Sequence, residues 1–149
     1  MKGIFLTAFL SIALMSCNSD DNGGNVGTEE VEFTNVAQSY IPNTPYEDNP
    51  NAQNMVISDD DTWQDFTEEL GTAIDETTID FANYQAIVVI DEMRPAGGYS
   101  IDIVSVTENR QNISVSIETT FVEQITFQMP IQPYHIVKIP KTEKPVVFE

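Results

Sequence analysis

Five consecutive apolar residues, Ala86-Ile87-Val88-Val89-Ile90, give the strongest structural signal in this sequence. Successive side chains of a strand point to opposite faces of its sheet, so a strand made only of apolar residues has to be covered on both faces. The β-branched residues that dominate this run also favour a strand over a helix. The sequence therefore predicts a central strand with further structure packed on either side of it.

Stretches in which apolar and polar residues alternate indicate further strands around this run. They are found at 30–34, 99–106, 112–118, 124–129, 134–139 and 146–148. In the second of these, the apolar residues change phase after Ile103, which a β-bulge near 103–104 would explain. Several Pro and Asn residues predict a long loop over 42–54. Short turns between consecutive strands favour antiparallel pairing.

One helix is predicted near residues 59–70. Ser58 fits an N-cap with Asp61 three residues later, and Gly71 provides a C-terminal stop. The spacing of the large apolar residues places one face on the sheet, formed by Trp63, Phe66 and Leu70. The predicted fold class is α+β, a predominantly antiparallel β-sheet, barrel-like or sandwich-like, with one packed helix.

Charged residues are distributed unevenly along the chain. The 149 residues include 24 Asp+Glu and 6 Lys+Arg, a net charge of −18, which argues against nucleic-acid binding and against electrostatic docking on anionic lipid. Between Asn18 and Glu92 there are 18 acidic residues and no Lys or Arg, whereas 5 bases and 6 acids are found from Met93 onward. We therefore expect an acidic side beside a nearly neutral, β-rich side that is better suited to binding a partner.

The N-terminal residues predict export and lipid attachment. Lys2 precedes the apolar stretch Ile4–Met15, which is too short to cross a bilayer and is typical of a signal peptide. The sequence Leu14-Met15-Ser16-Cys17 resembles the lipobox of bacterial lipoproteins, and this resemblance implies an acylated Cys17 anchored in the outer membrane. The expected organisation is a signal peptide at 1–16, the acylated Cys with a flexible acidic linker at 17–28, and a single domain at 29–149. Periplasmic and surface-exposed orientations both remain open.

Few residues suggest catalysis. A single Cys excludes an internal disulfide and a Cys-x-x-Cys zinc site, and His135, the only histidine, has no accompanying nucleophile motif. Adjacent acids occur at Asp59–Asp61, Glu68–Glu69, Asp75–Glu76 and Asp91–Glu92. Such pairs are typical of a solvated face, and helix capping explains Asp59–Asp61 better than calcium binding does. We expect no catalytic residue, no metal and no cofactor, and keep a carboxylate-based envelope hydrolase as the alternative.

The segment Arg94-Pro95-Ala96-Gly97-Gly98-Tyr99 is the most distinctive local motif. Proline fixes one φ angle and glycines permit positive φ, so a tight hairpin loop is predicted. One interpretation is hairpin chemistry with a local ion pair to Asp91 and Glu92. The other is a rigid loop that presents Arg94 and Tyr99, residue types enriched at binding hot spots.

Residues 94–101 (Arg-Pro-Ala-Gly-Gly-Tyr-Ser-Ile) and 133–139 (Pro-Tyr-His-Ile-Val-Lys-Ile) resemble the signature pair of the PrcB C-terminal domain family. The resemblance extends over roughly 55–148. Members of that family are typically small envelope lipoproteins, and the name-giving member associates with a secreted serine protease. The resemblance implies a non-enzymatic accessory module that stabilises or scaffolds a partner protein, with a protease inhibitor as an alternative. The candidate partner contacts are Arg94, Pro95, Gly97, Gly98, Tyr99, Tyr134 and His135.

Overall fold

A computed structural model describes residues 27–41, 50–71, 74, 79–123 and 129–149. Its elements in chain order are β1 (Glu29–Glu30), β2 (Thr34–Ile41), β3 (Gln53–Ile57), α1 (Asp60–Leu70), β4 (Tyr84–Ile90), β5 (Tyr99–Glu108), β6 (Ile113–Phe121), β7 (Gln132–Pro140) and β8 (Val146–Phe148). The predicted signal peptide, Cys17 and most of the predicted linker lie outside the described residues.

The strands form two four-stranded sheets. Sheet A has the order β1-β5-β6-β8, and sheet B has the order β2-β7-β4-β3. All pairings are antiparallel except that of β6 with β8, which is parallel. The predicted α+β class, with mainly antiparallel strands and a helix near 59–70, is confirmed. The two sheets do not close into a barrel, so the arrangement is sandwich-like.

The molecule has three layers, because sheet B is covered on both of its faces. One face packs Ala86, Val88 and Ile90 against the helix side chains Phe66 and Leu70. The opposite face packs Ile87 and Val89, with Val137 and Ile139 of β7, against sheet A residues such as Ile103 and Val115. Residues 86–89 are completely buried. The prediction of a strand covered on both faces is confirmed, and β4 belongs to both hydrophobic cores.

Helix α1 ends as predicted but begins one residue later than expected. Gly71 adopts a left-handed conformation with φ of 61°, and its N–H donates to the Glu68 carbonyl. The N-cap is Asp59 rather than Ser58: its backbone is extended, and its carboxylate accepts hydrogen bonds from the Thr62 N–H and hydroxyl, both at 2.9 Å. Asp59 therefore satisfies a main-chain donor of the first turn that would otherwise lack a partner.

The N-terminal strand prediction was wrong in its boundaries. Val31 and Phe33 lie between β1 in sheet A and β2 in sheet B, and both pack against the core between the sheets. Residues 31–33 carry the chain from one sheet to the other. Val31 and Phe33 face the core there and Glu32 faces solvent, which explains the alternation of apolar and polar residues. Of the loop predicted over 42–54, residues 42–49 lie outside the described residues, and the predicted end is wrong because β3 begins at Gln53.

Two other strand predictions have different outcomes. The bulge predicted near 103–104 is confirmed, because the register of β5 against β6 shifts between Ile103 and Ser105. In the stretch predicted as a strand at 124–129, Met129 lies in a bend and the remaining residues are outside the described part of the chain. The predicted strands at 134–139 and 146–148 are both present.

The 91–98 segment is not a hairpin loop. It connects β4 in sheet B to β5 in sheet A, and these two strands do not pair with each other. Of its two glycines, Gly98 is the one that has positive φ, at 97°. The segment therefore turns the chain from one layer into the next, at the end of the molecule where β4 stops and β5 starts.

Candidate partner-binding site

The inter-sheet segment is held by a carboxylate–guanidinium pair. Nε and Nη2 of Arg94 donate to the two carboxylate oxygens of Asp91 at 2.8 and 2.9 Å, and Nη1 lies 2.9 Å from a carboxylate oxygen of Glu92. The hydrogen bonds that Arg94 donates to the Asp91 carboxylate raise the pKa of the Arg94 guanidinium, so this group stays charged. All three guanidinium nitrogens thus contact acids of the same segment, which supports the local ion-pair interpretation of the motif.

Main-chain contacts attach this segment to β7. The Asp91 N–H donates to the Pro133 carbonyl at 2.9 Å, and the buried side chain of Gln132 donates to the Asp91 carbonyl at 3.0 Å. Arg94 and Ile131 exchange two main-chain hydrogen bonds of 2.7 and 3.0 Å. Asp91 is itself only 8% exposed. Since both ends of the Asp91–Arg94 turn are bonded, the segment is a rigid support for the start of β5.

The residues after this turn form an aromatic patch at the end of sheet A. The ring of Tyr99 lies 4.6 Å from that of Phe121 between centroids, and the Arg94 guanidinium lies over the Tyr99 ring at 5.2 Å. Phe121 itself is 48% exposed, and two further large apolar residues of the connected segments, Val122 and Met129, are 47% and 55% exposed. We call Tyr99, Phe121, Val122 and Met129 the end patch.

Chain connectivity explains why these residues lie together. Tyr99 pairs with Phe121 at the last rung of the β5–β6 ladder, and the Val122 N–H extends the ladder by bonding to the Gly98 carbonyl at 2.8 Å. Met129 is connected to this end of the molecule through the chain, since it lies two residues before Ile131, which pairs with Arg94. Sequence reasoning identified Tyr99 but missed Phe121 and Val122. Phe121 returns to the odd-numbered apolar positions of β6 after an interruption at Thr119, which was the available signal.

The other predicted contact residues differ in accessibility. Pro95 is exposed and Gly98 is half-buried, whereas Gly97 is buried. Tyr134 and His135 are only 2% and 6% exposed. Their placement as partner contacts needs correction, because both side chains of this part of β7 are covered. The structure thus brings Arg94, Pro95, Gly98 and Tyr99 to one end of the molecule and leaves Tyr134 and His135 in the interior.

His135 has a structural role in the bulge of β5. Its Nδ1 accepts a hydrogen bond of 2.9 Å from the Ile103 N–H, so the neutral ring carries its proton on Nε2. Burial lowers the pKa of His135, and the charge of Asp102 opposes that shift. With Nδ1 occupied by a main-chain donor, that nitrogen cannot accept a proton from a nucleophile.

Two carboxylates have a lowered pKa because they accept hydrogen bonds from residues two or three positions later in the chain. Hydrogen bonds from Thr62 lower the pKa of Asp59, and those from Asn83 and the Ala82 N–H lower the pKa of Asp80. A general acid needs the opposite shift. Within the described ranges, no group of three or more His, Cys, Asp or Glu residues is arranged to hold a metal ion.

The acidic residues of α1 lie on the far side of the molecule from sheet A. The helix carries Asp60, Asp61, Asp65, Glu68 and Glu69, all exposed, and it packs on the face of sheet B that sheet A does not cover. The end patch belongs instead to sheet A. No helix in the described part of the chain is long and apolar enough to cross a membrane.

Comparison with known protein families identifies a similarity within the chain. Residues 86–140 match the model of the family described as PrcB C-terminal, which confirms the predicted family resemblance over that segment. No curated protein and no solved structure gives a significant match. The matched residues run from β4 to β7 and contain the Asp91–Arg94 turn, Tyr99 and Phe121. The family is one of accessory subunit domains of protease complexes rather than of catalytic domains.

Proposed function

We propose that this protein is a non-enzymatic binding module of the bacterial cell envelope, which stabilises or scaffolds a partner protein. The partner that the PrcB match indicates is a protease of the envelope or a secreted one. The observation that carries the proposal is the end patch. It lies inside the matched segment, and it combines a rigid support with strongly exposed aromatic and apolar side chains, as binding hot spots do.

The function requires no reaction at the patch. Arg94 is fully occupied by Asp91 and Glu92, so it acts as the support that orients Tyr99, and the apolar surface supplies the binding energy. Burial of apolar surface contributes about 25 cal/mol per Å². A binder that engages a protease in this way can protect it from unfolding or block it, and these outcomes differ in the activity of the bound protease.

Capture from the native envelope tests this proposal with a matched pair of variants. Tyr99→Ala removes a ring of the end patch, while Tyr84→Ala removes a comparable ring under Lys138, at 5.1 Å, on sheet B. We expect the wild-type chain and Tyr84→Ala to retain the same partner and Tyr99→Ala to lose it. A partner retained equally by both variants would show that the end patch is not the binding site.

The activity of the captured partner separates a stabiliser from an inhibitor. If it is a protease, we expect added full-length protein to prolong its activity at elevated temperature without lowering its initial rate. A lowered initial rate would instead indicate the inhibitor alternative. A partner with no proteolytic activity would remove the protease from the proposal while leaving the binding role intact.

We further propose that acylated Cys17 anchors the protein to the outer membrane, with the segment 18–28 as a tether. Several acyl chains on one residue give stable attachment, whereas a single chain does not. Cys17→Ser should move the protein from the membrane fraction to the soluble fraction and abolish incorporation of labelled palmitate. Protease treatment of intact cells would then distinguish a surface-exposed domain from a periplasmic one.

A further inference from the structure

Acidic residues border the end patch. Among the described residues, the one cation beside the patch already has acidic partners. Arg94 is the basic residue beside the patch, and its guanidinium nitrogens all contact Asp91 or Glu92. The Glu92 side chain is 68% exposed despite this contact, and Glu123, which comes directly after Val122, is also exposed. The rim is therefore net negative, and the cation that belongs to it is already used internally.

The neighbouring ladder strengthens the negative field. Asp102 and Glu118 face each other across β5 and β6, three rungs from Tyr99 and Phe121. Like charges in this arrangement repel each other, and in the described part of the chain neither is in an ion pair. Asp102 instead accepts hydrogen bonds from Gln38 and Ser100. Because successive side chains alternate between the faces of a sheet, these two acids project from the face opposite to Tyr99 and Phe121. They therefore add to the negative potential around the patch at longer range and do not border it.

We infer that the end patch binds a partner segment in which a large apolar side chain is flanked by lysine or arginine. The apolar side chain would pack on Tyr99 and Phe121, and the flanking cations would pair with Glu92 and Glu123. This inference rests on the proposed binding function and specifies the chemistry of the partner for the same site.

Charge complementarity favours this occupant over the others. A second copy of this chain would bring another charge of −18 and the same acidic rim to the contact, and like charges placed opposite each other disfavour such a pair. An anionic membrane surface would be repelled for the same reason. A cationic protein segment is attracted at long range by the net charge and at contact by the two glutamates.

Site-specific photo-crosslinking of the full chain in its native envelope tests the inference. A photoreactive phenylalanine analogue is placed at position 121 in one variant and at position 147 in another, since Val147 is also exposed, by 39%, but lies on β8 away from the patch. We expect an adduct at position 121 whose partner peptide, identified by mass spectrometry, contains an apolar residue between basic ones. An adduct with lipid, with a second copy, or with an acidic segment would overturn the inference.

The same experiment distinguishes failure of this inference from failure of the proposed function. A protein partner crosslinked through position 147 alone would leave the binding role standing and overturn the assignment of the patch. The absence of a protein adduct at either position would contradict both.

A second measurement tests the charge directly. The crosslinked partner segment is synthesised as a peptide, and its affinity for the full chain in detergent is measured. Phe121→Ser and Glu123→Lys should each weaken binding about tenfold, and only the Glu123→Lys loss should diminish in high salt. Glu29→Lys, which makes the same charge change on β1, should have little effect. Equal losses from Glu123→Lys and Glu29→Lys would show a non-specific charge effect and overturn the inference, whereas circular dichroism should show that every variant is folded.

Discussion

Asp91 is a buried carboxylate whose two oxygens are both used. Its oxygens accept from Arg94, one of them also accepts from the Glu92 N–H at 2.8 Å, and its main chain bonds to β7. A carboxylate that is 8% exposed needs such partners, because an unpaired charge in the interior is strongly unfavourable. The ion pair of the motif is therefore a structural requirement of the turn between the sheets.

Removing the guanidinium should destabilise the protein. We expect Arg94→Ala to lower the free energy of unfolding by about 1–3 kcal/mol, because it leaves the Asp91 carboxylate buried with fewer partners. Arg94→Lys should lose less, although an ammonium group cannot reproduce the two parallel hydrogen bonds. Urea denaturation measures both variants. Arg110→Ala, at an exposed position, is the control, and an equal effect of Arg94→Ala and Arg110→Ala would contradict this role of the pair.

His135 should make the stability of the protein depend on pH. Burial lowers the pKa of His135 in the folded state below its ordinary value of 6.5, so the unfolded chain takes up a proton first as pH falls. Its contribution is therefore fully present above pH 6.5, and the free energy of unfolding should decrease below that pH until the folded-state pKa is reached. Protonation also converts Nδ1 from an acceptor to a donor facing the Ile103 N–H.

Two variants of His135 separate titration from the hydrogen bond. His135→Gln removes the titrating group and keeps an acceptor for Ile103, so this part of the pH dependence should disappear while most stability at neutral pH remains. His135→Leu should also remove the pH dependence, but it should lower stability at neutral pH by about 1–3 kcal/mol, since the Ile103 N–H loses its acceptor. Denaturation curves at pH 5 to 8 would measure both, and an unchanged slope in His135→Gln would assign the pH dependence to other groups.

At the level of elements, the cap of α1 distinguishes two adjacent residues that both suit an N-cap. Asp59→Ala should lower the free energy of unfolding by about 1 kcal/mol, because the Thr62 N–H loses its acceptor. Ser58→Ala should change it by a few tenths at most, since the contact of Ser58 is made by its main-chain carbonyl, which accepts from Lys141 at 3.0 Å. Thermal or urea denaturation compares the two. A larger effect at Ser58 would restore the cap expected from sequence.

The periodicity of the sequence predicted this helix to within one residue because Trp63, Phe66 and Leu70 define its buried face and Gly71 ends it. The choice between Ser58 and Asp59 could not be predicted in the same way. It depends on where β3 ends and on the contact between Lys141 and the Ser58 carbonyl, which involve residues distant in the sequence.

The segment at 91–98 shows the same division between local and distant information. Proline and glycine predicted a sharp turn, and the nearby acids predicted the ion pair of Arg94. Whether the flanking strands pair with each other depends on their other neighbours: β4 is already paired with β3 and β7 on both edges, so β5 has to join another sheet. Phe121 and Val122 were missed for a related reason. Their exposure depends on where the core between the two sheets ends, and this depends on residues distant in the sequence.

At the scale of the whole molecule, the segment that matches the PrcB C-terminal model is bounded by β4 and β7. These two strands form the middle of sheet B, and their opposite faces belong to different cores. Helix α1 and the edge strands β2 and β3 lie outside the matched residues, yet they cover and flank these strands. We therefore expect the three layers to unfold together, since loss of the helix would expose Val88 and Ile136.

The single tryptophan tests this expectation. Trp63 lies on α1, with its ring 6.1 Å from that of Phe81, so its fluorescence reports on the helix layer, while far-UV circular dichroism reports mainly on the strands. We expect both signals to give the same urea midpoint. Phe66→Ala should lower the free energy of unfolding by about 3–5 kcal/mol, because a ring buried against sheet B is removed. Both urea midpoints should then decrease together. Separate midpoints would instead show that the segment 86–140 keeps its two sheets without the helix, so that the binding module is smaller than the described domain.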